Sequence, residues 1–314
     1  MSLFLGIDTS NYTTSTAIFD SSTGTMLQQK KLLPVKEGQL GLRQSDAVFH
    51  HTQQLHLLFS ELVKDIDLSE LKMIGVSSKP RPADGSYMPC FTVGENTANI
   101  LSSALKVPIA RFSHQEGHIS AALFSSKRDD LFSKDFLAFH VSGGTTEAVL
   151  AKGYESGFSL ELVAKSLDLH AGQAVDRVGI MLGLSFPCGA ELEKLALKNT
   201  EKIKVHPTLK GLDCCLSGVE NQCKKLIDSG KSSEYVAAYC LKCIEQSLSM
   251  MTDKLLEKYG DLPLIYAGGV MSNTIIKNEF TQKYNAVFAP PAYSTDNAAG
   301  IAYLAYRKFN DVHT

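Results

Sequence analysis

His114 and His118 are the residues whose type and spacing speak most directly of chemistry. They stand four apart, and Ser113 just ahead of them and Glu116 between them have capping-box spacing. A helix is therefore predicted to begin at Ser113 and to carry both rings on one face of its first turns. The positive end of a helix disfavours imidazolium, which keeps such rings neutral and able to bind a metal ion. Paired histidines at this spacing also occur on helices that hold no metal, and the pattern alone leaves both readings open. A second stretch runs from Phe136 to Leu150, where apolar runs flank Ser142, Gly143 and Gly144 and the polar residues Thr145, Thr146 and Glu147. It reads as a hairpin. Glycine there lets a ligand approach the main chain, and backbone amides with nearby hydroxyls suit an anion such as phosphate. An ordinary tight turn has the same local pattern. A third stretch, Ala267 to Asn273 (AGGVMSN), reads as a strand-to-helix junction where a nucleotide can come close. Glu191 and Glu193, near the start of another helix, suit its dipole and equally suit ribose hydroxyls.

The elements that must position these residues follow from periodicity. Leu3 to Ile7 is a predicted strand; the hydroxyl-rich Asp8 to Ser15 follows, and Thr16 to Phe19 returns. The same strand–turn–strand outline recurs about 130 residues later, the weak internal echo of two domains of related design. Ser45 to Ile66 is a predicted helix capped by Ser45 or Asp46, with His50, His51 and His56 read as structural. Further strands are predicted at Met73 to Ser77, ending near Phe112, at Leu160 to Val163, Leu264 to Tyr266 and Val287 to Ala289. Further helices are predicted at Val93 to Leu105, Ala171 to Leu184 (carrying Asp176), after the turn at Phe186, at Tyr235 to Lys258, after Asn273 and at Ile301 to Phe309, the last with Asp296 as its N-cap. SSKRDD interrupts the apolar pattern between Phe124 and Asp135. The expected division is therefore 1–130 with a returning 297–314, and 131–296.

Composition narrows the classes. The chain has 314 residues, enough for a sizeable core and two domains, and no apolar run approaches the ~20 residues of a membrane span. MSLFLGIDTS has no basic region and an acid at Asp8, so it is expected to be a first strand rather than a signal peptide. The formal net charge is −2, whereas a protein gripping nucleic acid alone is usually basic. Contact with RNA would fall to local patches (Lys79/Arg81, Lys127/Arg128, Lys202/Lys204/Lys210, Lys224/Lys225) or to a partner. Seven cysteines without framework spacing point to reduced thiols and a cytoplasmic setting. Cys240 and Cys243 form a C-x-x-C inside a helical pattern and are expected to be core or surface thiols.

Taken in order, GIDTS, HQEGH, HVSGGTTEAVL, AVDRVGIMLGLSFPCGAELEKLA, LSGV, AGGVMSN and STDNAAG resemble one family over Leu3 to about Phe309. It is the TsaD-like family, formerly called O-sialoglycoprotein endopeptidase or glycoprotease. The resemblance implies the two-domain α/β fold of actin, heat-shock chaperones and sugar kinases, with duplicated mixed sheets and a cleft between domains. It implies transfer of a threonylcarbamoyl group from threonylcarbamoyl-adenylate to N6 of the adenosine beside the anticodon of tRNA. It implies His114, His118 and Asp296 as ligands of one metal ion, iron or zinc. His140, Val141, Ser142, Gly143 and Gly144 would contact the phosphate and acyl part of the adenylate, and Asp176, Gly189, Glu193 and Asn273 the nucleotide. Asp8 and Ser142 are the implied catalytic residues. The implied partners are the acyl-adenylate, tRNA and proteins of the TsaB and TsaE type, with no membrane and with a homo- or heterodimer allowed.

The chain departs from the family at specific points. Asn11, Tyr12 and Thr13 stand where Cys-Asp-Glu is usual, Asp8 replaces a glutamate, and Glu220 stands where Ser-Gly-Leu-Lys has its lysine. Thr145 follows the Ser-Gly-Gly, and KPRPADGSY replaces a Gly-Pro-Gly-rich loop. Two other readings accommodate these changes: a carbamoyltransferase acting on a small-molecule acceptor, and a non-catalytic nucleotide-binding paralog that scaffolds a transferase complex. A zinc protease is disfavoured, because HQEGH is not H-E-x-x-H and Glu116 is assigned to the cap.

Overall fold

The computed structural model describes residues 2–10, 12–34, 42–154, 156–295 and 297–313. They fall into two compact units: Met1–Lys134 with Lys152–Leu160 and Ala292–Thr314, and Asp135–Ala151 with Glu161–Pro291.

Unit one is built on β1 (Leu3–Asp8), β2 (Thr13–Asp20), β3 (Thr25–Leu32), α1 (Gln44–Val63), β4 (Leu71–Lys79), α2 (Phe91–Leu105), β5 (Ile109–Ser113) and α3 (His114–Ser125). The sheet runs β3-β2-β1-β4-β5, antiparallel across β2 and parallel from β1 to β5. Every residue of β1 is buried, as a central strand covered on both faces must be. Leu3, Leu5 and Ile7 pack with Leu55 and Leu62 of α1 and Ala98 of α2. Phe4 alternates to the opposite face, edge-on to Tyr306 and Phe309 of the terminal helix.

Unit two follows with β6 (Asp135–Val141), β7 (Thr146–Tyr154), β8 (Gly157–Lys165), α4 (Ala171–Met181), α5 (Gly189–Ala196), β9 (Thr208–Lys210), β10 (Asp213–Cys215), α6 (Ser217–Asp228), α7 (Ser233–Tyr259), β11 (Leu264–Ala267), α8 (Thr274–Lys283) and β12 (Ala286–Phe288). Its five-stranded sheet runs β12-β11-β6-β7-β8, with β6, β11 and β12 parallel. Tyr266 at its centre stacks on Phe139 and Phe288. Cys240 and Cys243 are buried in the core against this sheet; burial pushes the Cys243 thiol up to about 12, as suits an inert core thiol. The short α9 (Pro291–Ser294) leads back to α10 (Ala299–His313) in unit one.

The structure differs from the sequence reading at several edges. β3 carries no strand signal in the sequence: its TMLQQKKL is polar, yet it pairs residue by residue with β2 from Thr25 to Leu32 as an exposed edge strand. α1 begins one residue before Ser45, with Arg43 at the N-cap and no side-chain cap bond, so neither Ser45 nor Asp46 caps it. α10 begins two residues earlier than expected, and Asn297 Oδ1 accepts from the Ala299 amide at 3.1 Å; Asp296, the expected cap, lies outside the described residues. Residues 152–160 cluster with unit one. There the Gly153 amide donates to Lys134 O at 3.1 Å and Phe158 stacks on Phe132 at 4.9 Å. α3 is seated by a close helix crossing: a Cβ on Gly300 of α10 would fall 1.9 Å from Gly117 O.

Candidate active site

In unit one the capping box forms as its spacing requires. Ser113 Oγ accepts from the Glu116 amide at 3.2 Å, and Glu116 Oε2 accepts from the Ser113 amide at 2.7 Å. Glu116 is thus committed to the helix start. His114 and His118 ride the first two turns, both buried, and their Nε2 atoms stand 2.9 Å apart. Two nitrogens each about 2.0–2.1 Å from one ion, at about 90–109°, would lie about 2.8–3.4 Å apart. The pair therefore converges as two ligands of one ion converge; an N–H···N hydrogen bond has the same separation.

Behind the pair lies Asp8 at the end of β1, 1% exposed. Its Oδ2 is 2.7 Å from His114 Nδ1, and its Oδ1 accepts from the Ser10 amide at 2.8 Å. Ser10 Oγ stands 2.8 Å from the same Nδ1. Among the described residues no group of three His, Cys, Asp or Glu converges as a metal set. Asp8 meets the ring on the side away from His118, and Asp296 is outside the described residues. The other helical histidines are structural or outward-facing: His51 Nδ1 lies 2.9 Å from Thr14 Oγ1 in the core, and His56 is exposed.

In unit two, Ser142, Gly143 and Gly144 form the bend after β6. The Ser142 amide donates to Thr145 O at 2.7 Å and the Gly144 amide to Ser142 Oγ at 3.3 Å. Among the described residues no acceptor takes the Gly143 amide. Both glycines are exposed, with no heavy atom within 4 Å of where a Cβ would sit. Two other glycines frame the bend. A Cβ on Gly172 of α4 would fall 2.5 Å from Gly143 N; one on Gly268, at φ +100°, would fall 2.3 Å from Val141 O. Val141 is buried, and His140 beside it pairs in register with Ala267 of β11.

Of the four remaining predicted nucleotide residues, three already hold protein groups. Asp176 Oδ1 accepts from the Cys188 amide at 2.9 Å, and burial pushes its carboxyl up. Glu193 Oε1 accepts from the Thr274 amide at 2.8 Å and from Thr274 Oγ1. Asn273 is buried and caps α8, its Oδ1 accepting from Ile275 and Ile276 at 3.1 Å each. Gly189 opens α5 with empty space around it. Glu193 and Asn273 thus meet at the start of α8, while Asp176 and Gly189 flank Cys188.

Three contributors escaped the sequence reading. Ser10 touches His114 from 104 positions away. Asp168 holds the start of α6 through the amides of Leu216 at 2.7 Å and Ser217 at 3.2 Å and the Ser217 hydroxyl at 2.6 Å. Arg177 Nη1 lies 2.9 Å from Glu220 Oε2, so the inverted charge at 220 has a local counterion. Only the hydroxyl-rich stretch Asp8 to Ser15 gave any prior signal, and it singled out neither Ser10 nor its partner.

Comparison with known proteins decides the class. Residues 30–303 match the family TsaD, described as tRNA N6-adenosine threonylcarbamoyltransferase. The chain belongs to that family. A relative from Nanoarchaeum equitans (strain Kin4-M), named tRNA N6-adenosine threonylcarbamoyltransferase, is 31% identical over 316 residues, 96% of this chain and 92% of that protein. Two solved structures share the fold. T. kodakarensis HypF has a TM-score of 0.64 at 12% identity, over 99% of this chain and 48% of that one. A ROK family glucokinase from Streptomyces griseus, in complex with glucose and AMPPNP, has 0.55 at 11% identity, over 98% and 100%. The chain therefore shares the α/β fold of these two structures, the sugar-kinase type expected, with two mixed five-stranded sheets. No described helix is long and apolar enough to cross a bilayer.

Proposed function

We propose that this chain transfers a threonylcarbamoyl group from threonylcarbamoyl-adenylate to N6 of the adenosine beside the anticodon of tRNA, with one metal ion on His114, His118 and Asp296. The observation that carries the reading is the family match over residues 30–303. The converging Nε2 atoms of His114 and His118, 2.9 Å apart and buried, support the metal assignment. Two imidazoles and a carboxylate suit iron or zinc and leave coordination positions for substrate. When bound, the ion supplies Lewis-acid neutralisation of charge on phosphate or carbamate oxygens.

The chain's own residues bind and orient. The Gly143 amide and the open bend around it receive the phosphate or acyl oxygens. Asp176 Oδ2 and Glu193 Oε2, the oxygens opposite those already bonded, accept from ribose hydroxyls. The adenosine N6 is a weak nucleophile, so rate depends on holding it against the carbamoyl carbon. As the new C–N bond forms, the bond from that carbon to the adenylate oxygen breaks, AMP leaves with the electron pair, and the proton displaced from N6 passes to solvent. Ser142 shapes the bend through its bond from the Gly144 amide.

The test is direct. Purified protein is given threonylcarbamoyl-adenylate, tRNA and partner proteins of the TsaB and TsaE type, and the tRNA nucleosides are separated. Threonylcarbamoyladenosine is expected. Unmodified tRNA with the donor consumed would overturn the tRNA reading, and carbamoylation of a small hydroxyl or amine acceptor would replace it.

A further inference from the structure

The implied catalytic role of Asp8 meets a geometric fact: both of its oxygens are engaged inside unit one. Oδ1 takes the Ser10 amide at 2.8 Å, and Oδ2 lies 2.7 Å from His114 Nδ1. We propose that Asp8, with Ser10, is a positioning residue that fixes the tautomer and ring orientation of His114, so that Nε2 presents its lone pair beside His118 Nε2. This rests on the metal reading above.

A carboxylate only accepts, so the hydrogen on the short Asp8–His114 contact belongs to the ring, at Nδ1. Nε2 of the neutral ring is then an acceptor or a metal ligand. It faces His118 Nε2 at 2.9 Å. Two lone pairs at that distance repel unless a cation or a proton lies between them. The tautomer set by Asp8 thus prepares the pair for an ion. Burial makes the arrangement stiff. Asp8 is 1% exposed and Ser10 fully buried, and a buried carboxylate that lost its partners would pay a large desolvation penalty. The clamp comes from two directions: β1 supplies Asp8 and the turn after it Ser10, while α3, fixed by its capping box, supplies the ring. A carboxylate on the far nitrogen of a metal-binding histidine also raises the ring's basicity.

The experiment measures metal binding and tautomer in the full chain. Zinc titration by calorimetry and cobalt(II) absorption spectra are recorded for wild type, Asp8→Ala, Asp8→Asn and His114→Ala. Asp8→Ala should weaken zinc binding roughly 10–100-fold and alter the cobalt spectrum, with an unchanged circular dichroism spectrum. Asp8→Asn should fall between, because its amide oxygen can still accept from Nδ1–H. Long-range ¹H–¹⁵N spectra of the metal-free wild type should show His114 protonated at Nδ1; this readout stands even where Asp8→Ala fails to fold. Wild-type affinity in Asp8→Ala, or a His114 proton on Nε2, would overturn the positioning role. A wild type that binds no zinc or cobalt, or a His114→Ala that binds as tightly, would instead overturn the metal reading on which it rests.

Discussion

Gly172 and Gly218 are each the second residue of a helix, α4 and α6, and replacing each with alanine should have opposite effects. Alanine in place of glycine favours a helix by up to about 1 kcal/mol. At Gly218 a Cβ meets nothing within 4 Å, so Gly218→Ala should stabilise by a few tenths to about 1 kcal/mol. At Gly172 the Cβ would stand 2.5 Å from Gly143 N, 2.7 Å from Gly143 Cα and 2.7 Å from Ser142 C. Ordinary contact needs about 3.5–4 Å, so the shortfall is about 1 Å and every opposing atom is backbone. Neither side can yield easily: the Gly172 amide donates to Ser142 O at 3.1 Å, and the Ala171 amide to Thr146 Oγ1 at 2.8 Å. Overpacking of this kind costs about 1–3 kcal/mol, which against a propensity gain of up to about 1 kcal/mol leaves Gly172→Ala net destabilised by up to about 2 kcal/mol. The strain falls on the Ser142–Gly144 bend, and a shift near 1 Å there should lower transfer roughly 10²-fold. Urea unfolding followed by circular dichroism, with transfer rates on the same preparations, reads both effects. Equal stability and activity in the two variants would refute the reasoning.

Asp176→Asn should leave stability unchanged or higher at neutral pH. Burial raises the native carboxyl's pKa above its unfolded value, so ionisation disfavours the fold as pH climbs through that range, and urea midpoints at pH 4 and 7 check the sign. The same variant should bind AMP more weakly if Asp176 holds ribose. Asp168→Ala should cost about 1 kcal/mol by loosening the start of α6. For Asp168, burial opposes ionisation, but the Ser217 hydroxyl and three amides prevail and lower the pKa. Its contribution is therefore present above the unfolded carboxylate range and lost as pH falls through the native value, so the gap between variant and wild type should shrink in acid. Thr14→Val should cost about 1–3 kcal/mol, because Thr14 Oγ1, fully buried, serves both His51 Nδ1 at 2.9 Å and Gln54 Oε1 at 3.0 Å; thermal denaturation measures it.

What was legible in the sequence was local. Ser113 and Glu116 are three apart, so the capping box and the shared face of His114 and His118 followed from helix geometry alone. Both strand–turn units were visible because β1 and β6 are continuous apolar runs. β3 hid because an edge strand of QQKK carries little hydrophobic signal. The early start of α10 hid because Asp296 and Asn297 are both good caps by type, and it is the folded turn that bonds Asn297 to Ala299. Partnerships across the chain were invisible: nothing in spacing joins Asp8 to His114, 106 residues on, or Arg177 to Glu220. Glu220 read as a reversed charge; its counterion needed the packing of α4 on α6. Asp176 came from resemblance, Glu193 and Asn273 from helix starts as well as from resemblance, and neither source gave that each already holds a backbone amide.

Threonine labelled with ¹⁴C, carried through the adenylate and followed into digested tRNA, tests the proposed activity most directly. With this chain and partner proteins of the TsaB and TsaE type, label should appear in N6-modified adenosine, and His114→Ala should abolish it. Label recovered only as free threonine, or equally in tRNA with His114→Ala, would contradict the assignment.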